Sequence, residues 1–180
     1  TWVLDGSLVH QDTRGHSGII YPGLAQRMTA GTGILHSERN DSWVLDGPRH
    51  EQDVELVQMW VVPDTAGVAP SYEQFDISGE LDGGGLVLVA TGIPELADDA
   101  AIRIRNRFAS LYAARLEPGA SVTLPSAPWV HVYVPRGEVD LEGVGTLHAG
   151  DAARSTDEPG RRVTAREASE VLVWEMLTSL

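Results

Sequence analysis

Met28-Thr29-Ala30-Gly31-Thr32-Gly33-Ile34-Leu35-His36-Ser37-Glu38 is the stretch from which the rest of this sequence is read. The two glycines mark a turn that delivers a strand. On an extended strand residues i and i+2 point to the same face, with Cα atoms roughly 6.7 Å apart. His36 and Glu38 therefore share a face, and an imidazole and a carboxylate so placed can reach one metal ion with bonds of about 2.0–2.2 Å. That donor pair suits non-haem iron, manganese, nickel, copper or zinc. Taken alone, the same pattern also fits a surface His-x-Glu on an exposed strand.

Outward from this stretch the chain reads as strands and turns. Trp2-Val3-Leu4 is a β-like run ending in Asp5-Gly6, a two-residue hairpin signal. Ser7–Asp12 reads as the returning strand, Ile19-Ile20-Tyr21 as a short one and Leu24–Thr29 as another. Glu55–Val62 is the longest β-like run of the first half, with Leu56, Gln58, Trp60 and Val62 on one face. Gln26 and Met28 share a face in the strand before His36. Short strands at such spacing, without a helical period, predict an all-β fold built as a barrel or sandwich.

Composition narrows the function classes. The 180 residues carry a net charge of −13, and all 13 basic residues are arginine. Nucleic-acid binding relies on clustered cations, so a phosphate-backbone partner is not expected. There is no cysteine, which excludes disulfides and thiolate metal ligands. No stretch reaches 18 apolar residues, so no membrane partner is expected, and nothing resembles a signal peptide. The expected location is cytoplasmic.

Several phrases together are specific to one family. Gly15-(x6)-Pro22-Gly23-(x12)-His36 looks like a variant of the second cupin motif, and Gly6 matches the closing glycine of the first. Thr1–Gly6, Tyr21-Pro22-Gly23, Met28–Glu38 and Gln58-Met59-Trp60-Val61-Val62-Pro63 resemble the pirin family of bicupins over nearly the whole chain. The resemblance implies two cupin-type, jelly-roll-like antiparallel β-barrels. It implies one metal, most often Fe(II), although other divalent metals also serve, held by three histidines and a glutamate. His36 and Glu38 match the last two ligands; the first two belong to a His-Pro-His segment upstream of the first strand, and this sequence has no His-x-His. The chain looks N-terminally incomplete, its first barrel lacking the opening strands. It is then expected to bind the metal weakly or as an apo scaffold. The same resemblance makes Met28 and Gln58 the cavity-lining candidates. His10 reads as a structural histidine, and His16 and His50 as loop residues.

Residues 63–85, with Pro63, Gly67, Pro70 and Gly83-Gly84-Gly85, read as an irregular crossover. The expected organisation is an N-terminal barrel over 1–63, a linker over 64–85 and a C-terminal barrel over 86–180. Ile102–Arg107, Ser110–Leu116, Ser121–Leu124, Trp129–Val134, Val139–Leu141, Gly145–Leu147 and Val171–Met176 read as strands of that second barrel. Of the ligand cluster only His131 remains there, and it reads as a core or strand histidine.

Two functions follow from the resemblance. One is a metal-dependent quercetin 2,3-dioxygenase acting on a flavonol-like aromatic substrate, with His36 and Glu38 as ligands and Glu38 also the catalytic base. There the metal supplies the dioxygen chemistry and the protein supplies ligands and a dry pocket. The other is a non-catalytic, iron-dependent regulator that binds a protein partner.

Overall fold

The computed structural model describes residues 1–40 and 52–178; His50 lies outside them. The first half holds β1 (Trp2–Asp5), β2 (Leu8–Asp12), β3 (Ser17–Ile20), β4 (Leu24–Thr29), β5 (His36–Asn40), β6 (Glu55–Val57) and β7 (Ser71–Asp76), followed by a one-turn helix, Ser78–Leu81. They form three small sheets, β1-β6, β3-β2-β5 and β4-β7. The second half holds β8 (Val87–Thr91), β9 (Ile102–Arg103), β10 (Ala109–Leu116), β11 (Ser121–Thr123), β12 (Trp129–Arg136), β13 (Glu138–Leu141), β14 (Gly145–His148), β15 (Ala152–Thr156), β16 (Arg162–Ala165) and β17 (Ser169–Met176). A six-stranded sheet, β15-β12-β17-β10-β8-β9, faces a four-stranded one, β11-β16-β13-β14. The all-β expectation holds. Among the described residues no helix is long and apolar enough to cross a membrane.

The six-stranded sheet is covered on both faces, which explains its runs of unbroken apolar residues. In β17, Val171 and Val173 point into the core of the second half, with Val132, Val139 and Leu116. Leu172, between them, points the other way and packs with Trp2, Leu4, Ile77, Leu81 and Leu111. That second core joins the halves. The first half has its own smaller core of Val3, Leu8, Ile20 and Leu24.

Four local readings need correction. Asp5-Gly6 does not close a hairpin: β1 pairs with β6, while β2 pairs with β3 and β5. The turn instead carries the chain between sheets. Gly6 has φ +72°, and a Cβ there would sit 2.5 Å from the Asp53 carbonyl oxygen, so its lack of a side chain admits the 52–54 segment. The long strand expected over Glu55–Val62 stops at Val57, because Trp2↔Val57 is its last pair. Beyond it Trp60 and Val62 are exposed. The crossover over 63–85 is not irregular throughout: it contains β7, which pairs along its whole length with β4, from Leu24↔Asp76 to Thr29↔Ser71. Its alternation was hidden among polar residues, Ser71-Tyr72-Glu73-Gln74-Phe75-Asp76. The strand expected over Ile102–Arg107 is likewise only two residues long. There the Asn106 side chain bonds the Val62 carbonyl and the Phe108 N–H and turns the chain.

Asp76 ends β7 and anchors the helix. Its carboxylate accepts the Ser78 N–H at 2.9 Å and the Tyr21 hydroxyl at 2.7 Å. The Ser78 and Tyr21 hydroxyls and the Ser78 N–H lower its pKa from 3.8 to about 2. A carboxyl depressed by folding stabilises the fold above its unfolded pKa, and that contribution is lost as pH falls through the folded value. The stability difference between wild type and Asp76→Asn, from urea titrations, is therefore expected to be largest above about pH 5 and to shrink toward pH ~2.

Candidate metal centre in the first half

The register of β3-β2-β5 builds the site. His10 lies opposite Gly18 on one side and Glu38 on the other, and Asp12 lies opposite His36. Directly paired residues in antiparallel strands point to the same face. His10, Asp12, His36 and Glu38 therefore form one polar face. The β4-β7 sheet closes over it: the Tyr72 ring stacks on His10 at 4.9 Å and on His16 at 5.2 Å between centroids. Gly18 makes room, since a Cβ there would lie 3.1 Å from Gln74 Oε1 and 3.6 Å from the Tyr72 hydroxyl.

Asp12 is the electrostatic anchor. One carboxylate oxygen accepts the Arg14 N–H at 2.8 Å and the His16 N–H at 3.0 Å. The other accepts His16 Nδ1–H at 2.8 Å and lies 3.4 Å from His10 Nε2. Burial pushes the Asp12 carboxyl up, but the His16 and Arg14 hydrogen bonds outweigh it and hold the group well below the usual carboxylate range. Burial, with Glu38 and Asp12 nearby, raises the Tyr72 hydroxyl.

His10 is fully buried, its ring centroid 5.7 Å from that of His36. Its Nδ1 lies 3.5 Å from Glu38 Oε1, within ion-pair reach but long for a hydrogen bond, and makes none. The other Glu38 oxygen accepts Gln58 Nε2–H at 2.9 Å, and Trp60 Nε1 donates to Gln58 Oε1 at 3.4 Å. Met28 is half-buried on β4, opposite Tyr72, and Gln26 is buried opposite Gln74.

The structure thus places His36 and Glu38 on one face, beside the fully buried His10, with Gln58 touching Glu38. His16, read as a loop residue, follows the β2–β3 turn and is bound to Asp12. Asp12 and Tyr72 are the members that sequence reasoning missed. The signal for Asp12 was the spacing already used for His36 and Glu38: His10 and Asp12 are also i and i+2. Among the described residues no three metal-ligating side chains converge closely enough to hold an ion. His36 and Glu38 offer one nitrogen and one carboxylate, so the described residues alone do not close a metal site. In the second half, His131 shares a face with Tyr133, away from the Val130–Val132–Val134 core. Burial, with Arg154 across the ladder, lowers its pKa.

The comparisons with known proteins converge. Residues 1–61 match the family model described as Pirin, and residues 93–176 match the quercetinase C-terminal cupin domain. A Mycobacterium tuberculosis protein provisionally named as a quercetin 2,3-dioxygenase is 55% identical over 180 residues, all of this chain and 70% of that protein. The Escherichia coli K12 protein named quercetin 2,3-dioxygenase is 32% identical over 179 residues, 98% of this chain and 71% of that one. Among solved structures, the Escherichia coli bacterial pirin YhhW in complex with nickel(II) superposes with a TM-score of 0.80 at 28% identity, over 99% of this chain and 71% of that one.

Proposed function

Because this chain belongs to the pirin family of two-barrel cupins, we propose that it is the metal-binding part of a cytoplasmic quercetin 2,3-dioxygenase-type oxygenase with a flavonol-like substrate. His36 and Glu38 are two of the metal ligands, and Glu38 is also the base. The metal is Fe(II), and the remaining donors come from outside the described residues. The observation that carries this reading is the shared face of His36 and Glu38, opposite Asp12 and His10. The names of the relatives and the nickel(II) of the bacterial pirin support it. Met28 and Gln58 line the substrate side.

A second reading is a non-catalytic, iron-dependent pirin that binds a protein partner. It is favoured by Trp60, which is 91% exposed yet hydrogen-bonded to the Gln58 that holds Glu38. Tryptophan is enriched at protein interfaces, where its ring packs on a partner while its N–H keeps a hydrogen bond.

Oxygen uptake by the iron-loaded protein with quercetin separates them. The oxygenase reading expects flavonol-dependent uptake that falls by at least about 100-fold in Glu38→Gln, the size of a general-base contribution. Metal binding without uptake on any flavonol would favour the second reading.

A further inference from the structure

We propose that Gln58 is the residue that positions Glu38, and that the second half controls it by clamping the 58–64 segment on which it rides. The proposal rests on the reading of Glu38 as a metal ligand and adds to it a partner outside the ligand set.

Glu38 lies on β5, an edge strand of its sheet among the described residues. One close hydrogen bond fixes its carboxylate: Oε2 accepts Gln58 Nε2–H at 2.9 Å. The contacts of Oε1 are longer, 3.5 Å to His10 Nδ1 and 3.5 Å to the Thr1 hydroxyl. The His10 ring stacks on that of His36, so holding Oε2 turns Oε1 toward the two histidines. A ligating carboxylate is commonly oriented by an outer hydrogen-bond partner of this kind.

An amide suits the task. Gln58 is neutral, so it orients Glu38 without cancelling the charge that a cation needs. An arginine or lysine there would form an ion pair and compete for the carboxylate. The direction of the amide is set as well. Trp60 Nε1–H donates to Gln58 Oε1 at 3.4 Å, so the oxygen end meets a donor and the nitrogen end meets the carboxylate. A flipped amide would set oxygen against carboxylate and nitrogen against indole N–H.

The 58–64 segment follows β6 and joins no strand; its anchors come from the second half. Met59 packs against the core that joins the halves. Asn106, itself buried, donates Nδ2–H to the Val62 carbonyl at 3.0 Å. Asp64 Oδ2 accepts the Arg107 backbone N–H at 2.8 Å and Arg107 Nε–H at 3.0 Å. The Asp64 N–H donates to the Arg105 carbonyl at 2.8 Å. Gly92 admits the 105–107 loop, since a Cβ there would sit 1.9 Å from the Asn106 carbonyl oxygen. The second half thus reaches the Glu38 carboxylate through this clamped segment.

Nickel(II) is the probe, titrated into the whole chain by isothermal calorimetry. Gln58 is exposed, and Gln58→Met keeps its length and volume, so the fold is expected to be unchanged by circular dichroism. The substitution is expected to weaken nickel(II) by about 10–100-fold, the effect of losing an outer partner of a ligand. A side chain that only lined the cavity would tolerate the exchange. In the metal-free, ¹⁵N-labelled protein the Gln58 side-chain amide signals are expected to move in Glu38→Ala, and also in Asp64→Ala through the clamp. Full nickel(II) affinity in Gln58→Met, beside a loss in His36→Ala and Glu38→Ala, would overturn this proposal alone. Full affinity in all three would overturn the ligand assignment and the proposal with it. Gln58 amide signals unmoved by Asp64→Ala would overturn the clamp.

Discussion

Replacing Trp2 by alanine is expected to cost about 3–5 kcal/mol, the usual range for a fully buried large aromatic side chain. Trp2 is 1% exposed and sits in the core that joins the halves, with Leu81, Leu111 and Leu172 around it. Its indole N–H also donates to the Glu170 carboxylate, which accepts Arg115 Nε–H at 3.0 Å. The substitution therefore opens a cavity and leaves a carboxylate that is 6% exposed with one partner fewer. The midpoint of a urea transition followed by far-UV circular dichroism reads the loss. Trp60→Ala is the control: with its side chain 91% exposed, it is expected to change stability by no more than about 0.5 kcal/mol. A Trp2→Ala variant as stable as the control would mean that the halves are not held together through this core.

The second large effect is on metal affinity. Removing an outer-shell partner of a metal ligand costs about 10–100-fold in affinity, so removing a direct ligand is expected to cost at least about 100-fold. His36→Ala and Glu38→Ala should each weaken nickel(II) binding by that factor in isothermal titration, with the fold intact by circular dichroism. Both residues are on the surface-facing strand β5, where His36 is exposed and Glu38 is partly covered, so neither substitution removes core packing. Equal affinity in wild type and both variants would place the metal elsewhere.

Much of the architecture was legible in the sequence because strands of a sheet covered on both faces carry nearly unbroken apolar runs. Trp129–Val134 and Val171–Met176 read as strands from their apolar runs, and the structure extends them to Trp129–Arg136 and Ser169–Met176. What failed did so for a shared reason: pairing is a long-range property. Nothing local distinguishes the Asp5-Gly6 turn from a hairpin, since its role depends on residues 52–54 arriving beside it. Ser71–Asp76 hides its strand because its two aromatics, Tyr72 and Phe75, stand three residues apart and so fall on opposite faces, and its partner lies over forty residues earlier.

The candidate site shows the same limit. His36 and Glu38 were legible because they sit on one strand, where period alone sets their relation. Asp12 and Tyr72 join them only through the β2–β5 register and the closure of β4-β7 over it. The Gln58 contact to Glu38 likewise comes from residues that follow β6, across the sheets rather than along one of them.

The most direct test of the metal assignment is X-ray absorption at the nickel edge on the nickel(II)-loaded protein, compared with His36→Ala loaded to the same degree. The account predicts that the wild-type spectrum contains imidazole nitrogen and carboxylate oxygen at about 2.0–2.2 Å, and that the variant loses one imidazole contribution. An unchanged imidazole count in His36→Ala would contradict it, because the ion would then be held by residues other than those on the β5 face.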